Sequence, residues 1–237
     1  MPRPWTLLEA VETPDGLLEL RRRCERDFMI SIDKRVLMTS TFTRSEQALA
    51  RLGCAAIPAG VGMPSRSGAT PGIEERPAPR VLIGGLGLGY TLRATLDALP
   101  PSARVVVAEL NPVIVRWCRG EVAALSSDAL ADPRVEVVVG DVTDRIREVA
   151  SDPARPRFDA ILFDLYVGPG GRGDPLYGRA IIADIKRALS PGGAFAVWGE
   201  VPDPPFEARL RDAGFTVRRE RVQGGGPTHM VVVATAR

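Results

Sequence analysis

Histidine is almost absent from this sequence, with His229 the single one among 237 residues. One imidazole is too few for a histidine-rich metal site, and it leaves carboxylates, tyrosines and backbone groups for any proton transfer. His229 stands in GGGPTHM just before a strand-like stretch, where a histidine is more often structural than catalytic. It is therefore not a predicted site residue, and no metal site is predicted.

Paired cysteines, long apolar runs and excess charge are also lacking. The three cysteines, Cys24, Cys54 and Cys118, show no CxxC spacing, which excludes a disulfide framework and favours a reducing cytoplasm. No stretch approaches the roughly 18 apolar residues of a membrane span, and the start MPRPWTLLEA has no signal-peptide core. The net charge of only +2 favours neither a nucleic-acid partner nor a membrane surface. Together these absences predict a cytoplasmic protein.

The first 56 residues predict a small β-hairpin element followed by one helix. In TRSEQALARLG, Thr43 and Glu46 have the spacing of a capping box and Gly53 is a stop signal. An isolated hairpin buries too little apolar surface to be stable, so packing on the main domain or on a second copy is expected, and a homodimer is predicted. The strand-like stretches are 17–20, 28–32 and 35–39.

Residues 57–79, IPAGVGMPSRSGATPGIEERPAP, are crowded with proline and glycine and show no apolar period. Such a composition is typical of a linker or surface loop. The predicted organisation is therefore an N-terminal element at 1–56, a linker at 57–79 and a main domain at 80–237.

Strands and helices alternate from residue 80 to the end, which predicts an α/β fold with a Rossmann-like, doubly wound seven-stranded sheet. The last two strands follow each other as a hairpin. The predicted strands are 81–83, 105–108, 135–139, 160–163, 194–198, 215–219 and 230–234, and the predicted helices are 91–99, 112–125, 144–150, 179–189 and 205–213.

A glycine-rich turn follows the first strand of this domain. Gly85, Gly87 and Gly89 form G-x-G-x-G at the start of a helix, where backbone amides without neighbouring Cβ atoms can approach a ligand. A nicotinamide site prefers glycine at the position of Tyr90, so a dehydrogenase is not favoured.

Acidic residues end three of the predicted strands. Glu109 stands where a carboxylate accepts from ribose hydroxyls, Asp141 where one accepts from an adenine amino group, and Asp164 follows the fourth strand. Asp141 could instead cap the next helix, and Glu109 could instead be a charge at a helix start. The carboxyl ends of neighbouring parallel strands meet in one crevice, so the set predicts a ligand site.

These motifs resemble the spermidine synthase branch of the class I S-adenosylmethionine-dependent transferases. The matching stretches are VLIGGLGLGYTLRA, VVVAELNP, DPRVEVVVGD, FDAILFDL and ALSPGGAFAVW, and the N-terminal element resembles that family's hairpin domain. The resemblance implies contacts of Gly85, Gly87 and Gly89 with the methionine and ribose part, Glu109 with the ribose and Asp141 with the adenine. It also implies that Asp164 is the first aspartate of a catalytic D-x-x-D loop and contacts the cofactor.

Two departures from that family bear on the reaction. Leu86 and Leu88 occupy a glycine loop that usually carries an aspartate, and Val167 replaces the second aspartate of D-x-x-D. Losing two acids disfavours a polycationic acceptor. Free amides in the turn, helped by Arg93, suit the carboxylate of intact S-adenosylmethionine.

The sequence therefore favours an S-adenosylmethionine-dependent methyltransferase acting on a small or medium acceptor. Asp164 is the expected base or acceptor anchor, and Tyr166 and Tyr177 flank a glycine-rich loop that suits a lid. One alternative is an aminopropyltransferase that uses decarboxylated S-adenosylmethionine and holds its amines with other acids. A second alternative is a non-catalytic dimeric binding protein that retains the fold.

Overall fold

The computed structural model describes residues 3–58, 78–165, 177–223 and 228–237. Tyr166, Val167 and most of the predicted linker lie outside the described residues, and the predicted domain boundaries remain predictions. Within the described ranges, no helix is long and apolar enough to cross a membrane.

The N-terminal element is a four-stranded antiparallel sheet in sequential order, β1 Thr6–Thr13, β2 Gly16–Cys24, β3 Asp27–Ile32 and β4 Arg35–Thr39. The sequence predicted only the last three strands. The first was missed because TLLEAVET is an edge strand with no buried residue and an irregular register between Leu7 and Glu9, so its apolar residues do not alternate cleanly.

The main sheet has seven strands in the order β10-β11-β9-β8-β5-β6-β7. Five are parallel, and β11 runs antiparallel between β9 and β10. This arrangement confirms the predicted Rossmann-like α/β fold with its final hairpin. The strands are β5 Arg80–Gly84, β6 Arg104–Glu109, β7 Val135–Val139, β8 Phe158–Phe163, β9 Leu189–Gly199, β10 Phe215–Val222 and β11 His229–Ala236.

Helices cover both faces of this sheet. The predicted helix at 112–125 is shorter than expected, since α3 ends at Arg119 with Gly120 as its C-cap and a 3₁₀ turn follows at Ala123–Ser126. Glycine at that point interrupts the helix although apolar residues continue. The helices are α2 Tyr90–Ala98, α3 Pro112–Arg119, α4 Val142–Ser151, α5 Arg179–Ala188 and α6 Pro204–Asp212.

Helix α1, Arg44–Ala55, lies on the main sheet beside α2. A Cβ atom at Gly53 would stand 2.3 Å from Leu162 Cδ2, so glycine lets the helix approach β8 closely. The predicted capping box does not form, because Thr43 makes no side-chain cap bond and the Glu46 carboxylate accepts from Ser45 Oγ at 2.6 Å. Glu46 is thereby turned inward and buried.

The N-terminal sheet is anchored to the main domain at two places. Leu18, Leu20 and Ile30 are buried in the same apolar cluster that packs one face of the main sheet. On its edge, Glu9 accepts hydrogen bonds from both terminal guanidinium nitrogens of Arg116 and from Trp117 Nε1. The small sheet therefore covers the C-terminal ends of the main strands and closes a crevice there.

Candidate active site

The glycine turn after β5 forms one wall of this crevice. Gly85 and Gly87 have left-handed φ angles of +86° and +53°. A Cβ on Gly85 would lie 2.5 Å from the Asp164 carbonyl oxygen, and one on Gly87 would lie 2.6 Å from Met38 Sδ. Both glycines line the crevice, and only glycine fits there because neighbouring strand ends press against the turn.

Gly89 has a different place. It is the N-cap of α2 with a φ of +84°, and a Cβ there would stand 3.0 Å from Ser126. It does not line the crevice. The structure thus brings two of the three predicted glycines to the site and leaves the third in a packing position.

The crevice has a volume of about 320 Å³ and lies between the N-terminal sheet and the ends of β5, β6 and β8. Its walls are mainly apolar, and its four ionisable groups are all carboxylates. No lysine, arginine or histidine stands among its described lining residues. The carboxylates belong to Asp15, Glu46, Glu109 and Asp164.

Asp164 lies on the floor of the crevice. Burial, with the nearby carboxylates of Glu46 and Glu109, raises the pKa of Asp164 to about 7. A hydrogen bond from Thr91 Oγ1 at 2.6 Å opposes this rise, because it favours the charged form. A half-buried carboxylate that titrates near neutrality is suited to accept a proton.

Glu109 ends β6, directly beside the glycine turn. Its two oxygens accept from the backbone N–H groups of Leu86 and Asn111, each at 2.8 Å. Burial raises the pKa of Glu109, while hydrogen bonds from the surrounding backbone oppose the rise. The glycine turn and the start of α3 thus hold this carboxylate in one orientation at the edge of the crevice.

Asp141 and Tyr177 do not line this crevice. Asp141 is exposed and caps α4, where its carboxylate accepts from Thr143 N at 2.7 Å. Helix capping was the alternative role that the sequence allowed for this residue. Tyr177 is buried, with its ring edge-on to Phe206 at 5.1 Å between centroids. The contact of Asp141 with adenine and the catalytic role of Tyr177 remain predictions.

Leu86 and Leu88 face the protein core instead of the acceptor space. They are 2% and 0% exposed and belong to the apolar cluster under the N-terminal sheet. Arg93, the expected partner of a cofactor carboxylate, is paired with Asp97 at 2.6 Å and does not line the crevice. The Leu86 N–H is also occupied, since it donates to Glu109, so neither Arg93 nor this amide supports a contact with the carboxylate of intact S-adenosylmethionine.

Sequence reasoning missed two of the four crevice carboxylates, Asp15 and Glu46. Asp15 is exposed at the β1–β2 turn, on the rim. Glu46 resembled a capping residue, but it shares the i, i+3, i+7 face of α1 with Leu49 and Gly53, which are buried. An acid on the apolar face of an amphipathic helix was the signal that could have identified it.

Comparison with known proteins identifies the family. A model described as the spermine/spermidine synthase domain matches residues 69–204, more than half of the chain. The chain belongs to this family. Membership agrees with the sequence motifs and with the fold.

Relatives of the family include the polyamine aminopropyltransferases of Clostridium tetani and Mycobacterium tuberculosis. The first is 30% identical over 131 residues and the second 33% over 146 residues. These matches cover 55% and 59% of this chain. The chain spans less than half the length of these curated relatives, 44% of the first and 27% of the second.

Two solved structures share the fold. A spermidine synthase in complex with the transition state analogue AdoDATO superposes with a TM-score of 0.72 at 17% identity, over 98% of this chain and 72% of that chain. The spermidine synthase of Thermotoga maritima has the same TM-score at 16% identity, with the same coverage of both chains.

The prediction of a methyltransferase is wrong by this comparison. The related sequences are named polyamine aminopropyltransferases, and the matched domain is that of spermine and spermidine synthases. The prediction failed because it counted acids by motif position. Two of the four crevice carboxylates, Asp15 and Glu46, come from elements outside those motifs, the β1–β2 turn and α1.

Proposed function

We propose that this protein is an aminopropyltransferase that transfers the aminopropyl group of decarboxylated S-adenosylmethionine to the nitrogen of an amine acceptor. The observation that carries the proposal is the charge of the crevice, where four carboxylates and no cationic side chain stand among the described lining residues. Desolvating ammonium groups is costly unless carboxylates compensate for the lost water. A cationic donor and a cationic acceptor both match this surface.

The charge of the crevice also favours the decarboxylated cofactor over the intact one. Intact S-adenosylmethionine would bring its own carboxylate close to Glu46 and Asp164 with no described cation to pair it. The decarboxylated form has only the ammonium at that end. Glu109 would accept hydrogen bonds from the ribose hydroxyls, and Gly85 and Gly87 would let the cofactor lie against the turn.

The sulfonium of the bound cofactor supplies the leaving group, so the protein has to orient an amine and remove its proton. Asp164, with a pKa of about 7, accepts the proton as the nitrogen lone pair forms the new N–C bond. The C–S bond breaks, and its electron pair leaves with sulfur in neutral 5′-methylthioadenosine. Thr91, by donating to Asp164 Oδ2, orients the carboxylate for this transfer.

Glu46 and Asp15 would hold the acceptor. Glu46 is buried beside Asp164, raises the pKa of Asp164, and thus places a second negative charge next to the base. Asp15 lies at the rim on the β1–β2 turn. An acceptor with two ammonium groups would place one nitrogen near Asp164 and Glu46 and the other toward Asp15 or solvent.

The test is to incubate the protein with decarboxylated S-adenosylmethionine and 1,4-diaminobutane and to measure 5′-methylthioadenosine. Glu46→Gln is expected to raise KM for the amine about tenfold or more, because a charge-assisted contact is lost. The matched control is Glu121→Gln, which removes an exposed carboxylate outside the crevice. Release of no thioether with any amine, under conditions where the protein is folded, would reject the proposed function.

A further inference from the structure

A second, small cavity of about 60 Å³ lies next to the crevice, beside α6 and the ends of β9 and β11. Its walls are mixed polar and apolar, and the apolar part includes Val197, Phe206 and Val232. Its carboxylates are those of Glu200 and Asp203, Tyr177 also lines it, and in the part of the chain that the structure describes no cationic residue lines it. Like the crevice, the cavity presents apolar side chains and carboxylates, the groups that would contact the methylenes and the ammonium end of a long amine.

Trp198 and Leu165 line both the crevice and the second cavity, which places them at the boundary between the two. Trp198 is held there by its position in β9, paired with Val231 of β11. Its ring also lies edge-on to His229, with 5.1 Å between the ring centroids. The largest side chain at this boundary is therefore fixed by backbone pairing and by a ring contact.

The indole N–H of Trp198 is buried, yet it has no hydrogen-bond partner among the described residues. A buried donor without a partner is costly, and phenylalanine would fill a simple packing position without that cost. The position of Trp198 between two acidic cavities thus indicates a role toward a ligand.

We propose that Trp198 determines the length of the acceptor amine by separating the catalytic crevice from the second acidic cavity. This inference rests on the proposed aminopropyl transfer. Asp164 and Trp198 line the same crevice, so with the indole in place a short diamine is expected to fit between them, while a longer acceptor is expected to meet the ring. Removing the ring would join two cavities that both carry carboxylates, so a longer amine gains apolar contact and a place for its second ammonium group.

The experiment compares Trp198→Ala and Trp198→Phe with the unaltered protein. Each is assayed with decarboxylated S-adenosylmethionine and with linear diamines of increasing length, and with spermidine. Trp198→Ala is expected to raise the ratio of kcat/KM for long over short acceptors about tenfold or more, as expected when several methylenes enter a new apolar space. Trp198→Phe keeps a wall and removes only the N–H, so it is expected to keep the preference for short acceptors.

Calorimetric binding of the same amines, in the presence of 5′-methylthioadenosine, gives a second readout that does not need turnover. Trp198→Leu provides a smaller truncation if the alanine variant does not fold. An unchanged length profile in a folded, truncated variant, by kinetics or by binding, would overturn the role of Trp198. Absence of transfer in the unaltered protein would reject the proposed function, and the binding series would still decide whether the indole limits amine length.

Discussion

At Asp164 the fold holds a carboxylate where its neutral form is favoured. The side chain is packed between the glycine turn and α1, and its pKa of about 7 lies well above the ordinary value of 3.8. Burial is the largest cause, followed by the charge of Glu46. This arrangement lowers the free energy of unfolding at alkaline pH, because a group with a raised native pKa stabilises the fold only while it is protonated.

Replacing Asp164 with asparagine should therefore stabilise the protein at alkaline pH. The stability that protonated Asp164 contributes is present below about pH 4 and is lost as the pH rises through about 7. At pH 8, Asp164→Asn is expected to unfold at a higher urea concentration than the unaltered protein. The gain in the free energy of unfolding should be at most a few kcal/mol, and it should shrink toward pH 4. The control is Asp128→Asn, an exposed carboxylate, and equal midpoints for Asp164→Asn and the unaltered protein at pH 8 would contradict the prediction.

Thr91 should control the pH at which the reaction starts. Its hydroxyl donates to charged Asp164, so Thr91→Val is expected to raise the pKa of Asp164 further. The acid limb of the pH profile of kcat/KM should then move upward by about one pH unit. The matched control is Thr95→Val, one turn further along α2 and buried. If the acid limb of Thr91→Val does not shift, Asp164 is not the group whose titration sets that limb.

Among the elements, α1 is the one that connects the small sheet to the chemistry. It belongs in sequence to the N-terminal element but packs on α2, β8 and β9 of the main domain. This packing carries Glu46 into the crevice. The close approach depends on Gly53, where a Cβ would stand 2.3 Å from Leu162 Cδ2 and 3.3 Å from Ala196 Cβ.

Gly53→Ala should destabilise the protein although alanine is the better helix former. Leu162 is fully buried, so the added methyl can be accommodated only if α1 shifts outward, at a cost of about 1–3 kcal/mol in the free energy of unfolding. The same shift should raise KM for the amine, since Glu46 moves with the helix. Arg51→Ala on the exposed face of α1 is the control, and a gain of stability in Gly53→Ala would show that the contact is relieved without movement.

For the whole molecule, the crevice lies between two sheets, so a ligand bound there contacts both. Residues from β2, β3 and β4 line it together with the ends of β5 and β6. Binding should therefore stabilise the folded chain as a unit. This expectation separates an adenosyl-binding enzyme from a scaffold that has only kept the fold.

5′-Methylthioadenosine should raise the melting temperature. At about 100 times its Kd a ligand adds about 2.7 kcal/mol, which corresponds to a shift of roughly 5–10 °C for a chain of this size. Glu109→Gln should reduce the shift, because its amide would meet the N–H groups that now donate to the carboxylate. The control for Glu109→Gln is Asp97→Asn, which changes an exposed carboxylate of α2. A melting temperature that stays constant with saturating nucleoside would argue against an adenosyl site.

Much of the architecture was accessible from the sequence because it depends on local patterns. The apolar runs of the parallel strands, the Asn111–Pro112 helix start and the glycine turn each have a local physical cause, and the structure contains all of them. β1 was missed because an edge strand buries no residue fully. The candidate site was predicted in part, since Gly85, Gly87, Glu109 and Asp164 line the crevice.

The sequence by itself determined the fold class, the family and the strand-end carboxylates, because periodicity and motifs act over short distances along the chain. Only the tertiary structure decided the charge of the crevice. It turned Leu86 and Leu88 into the core and brought Glu46 from α1 to the side of Asp164. The position of Glu46 and the raised pKa of Asp164 depend on burial and on neighbours from distant elements, and neither exists until the two sheets have packed together.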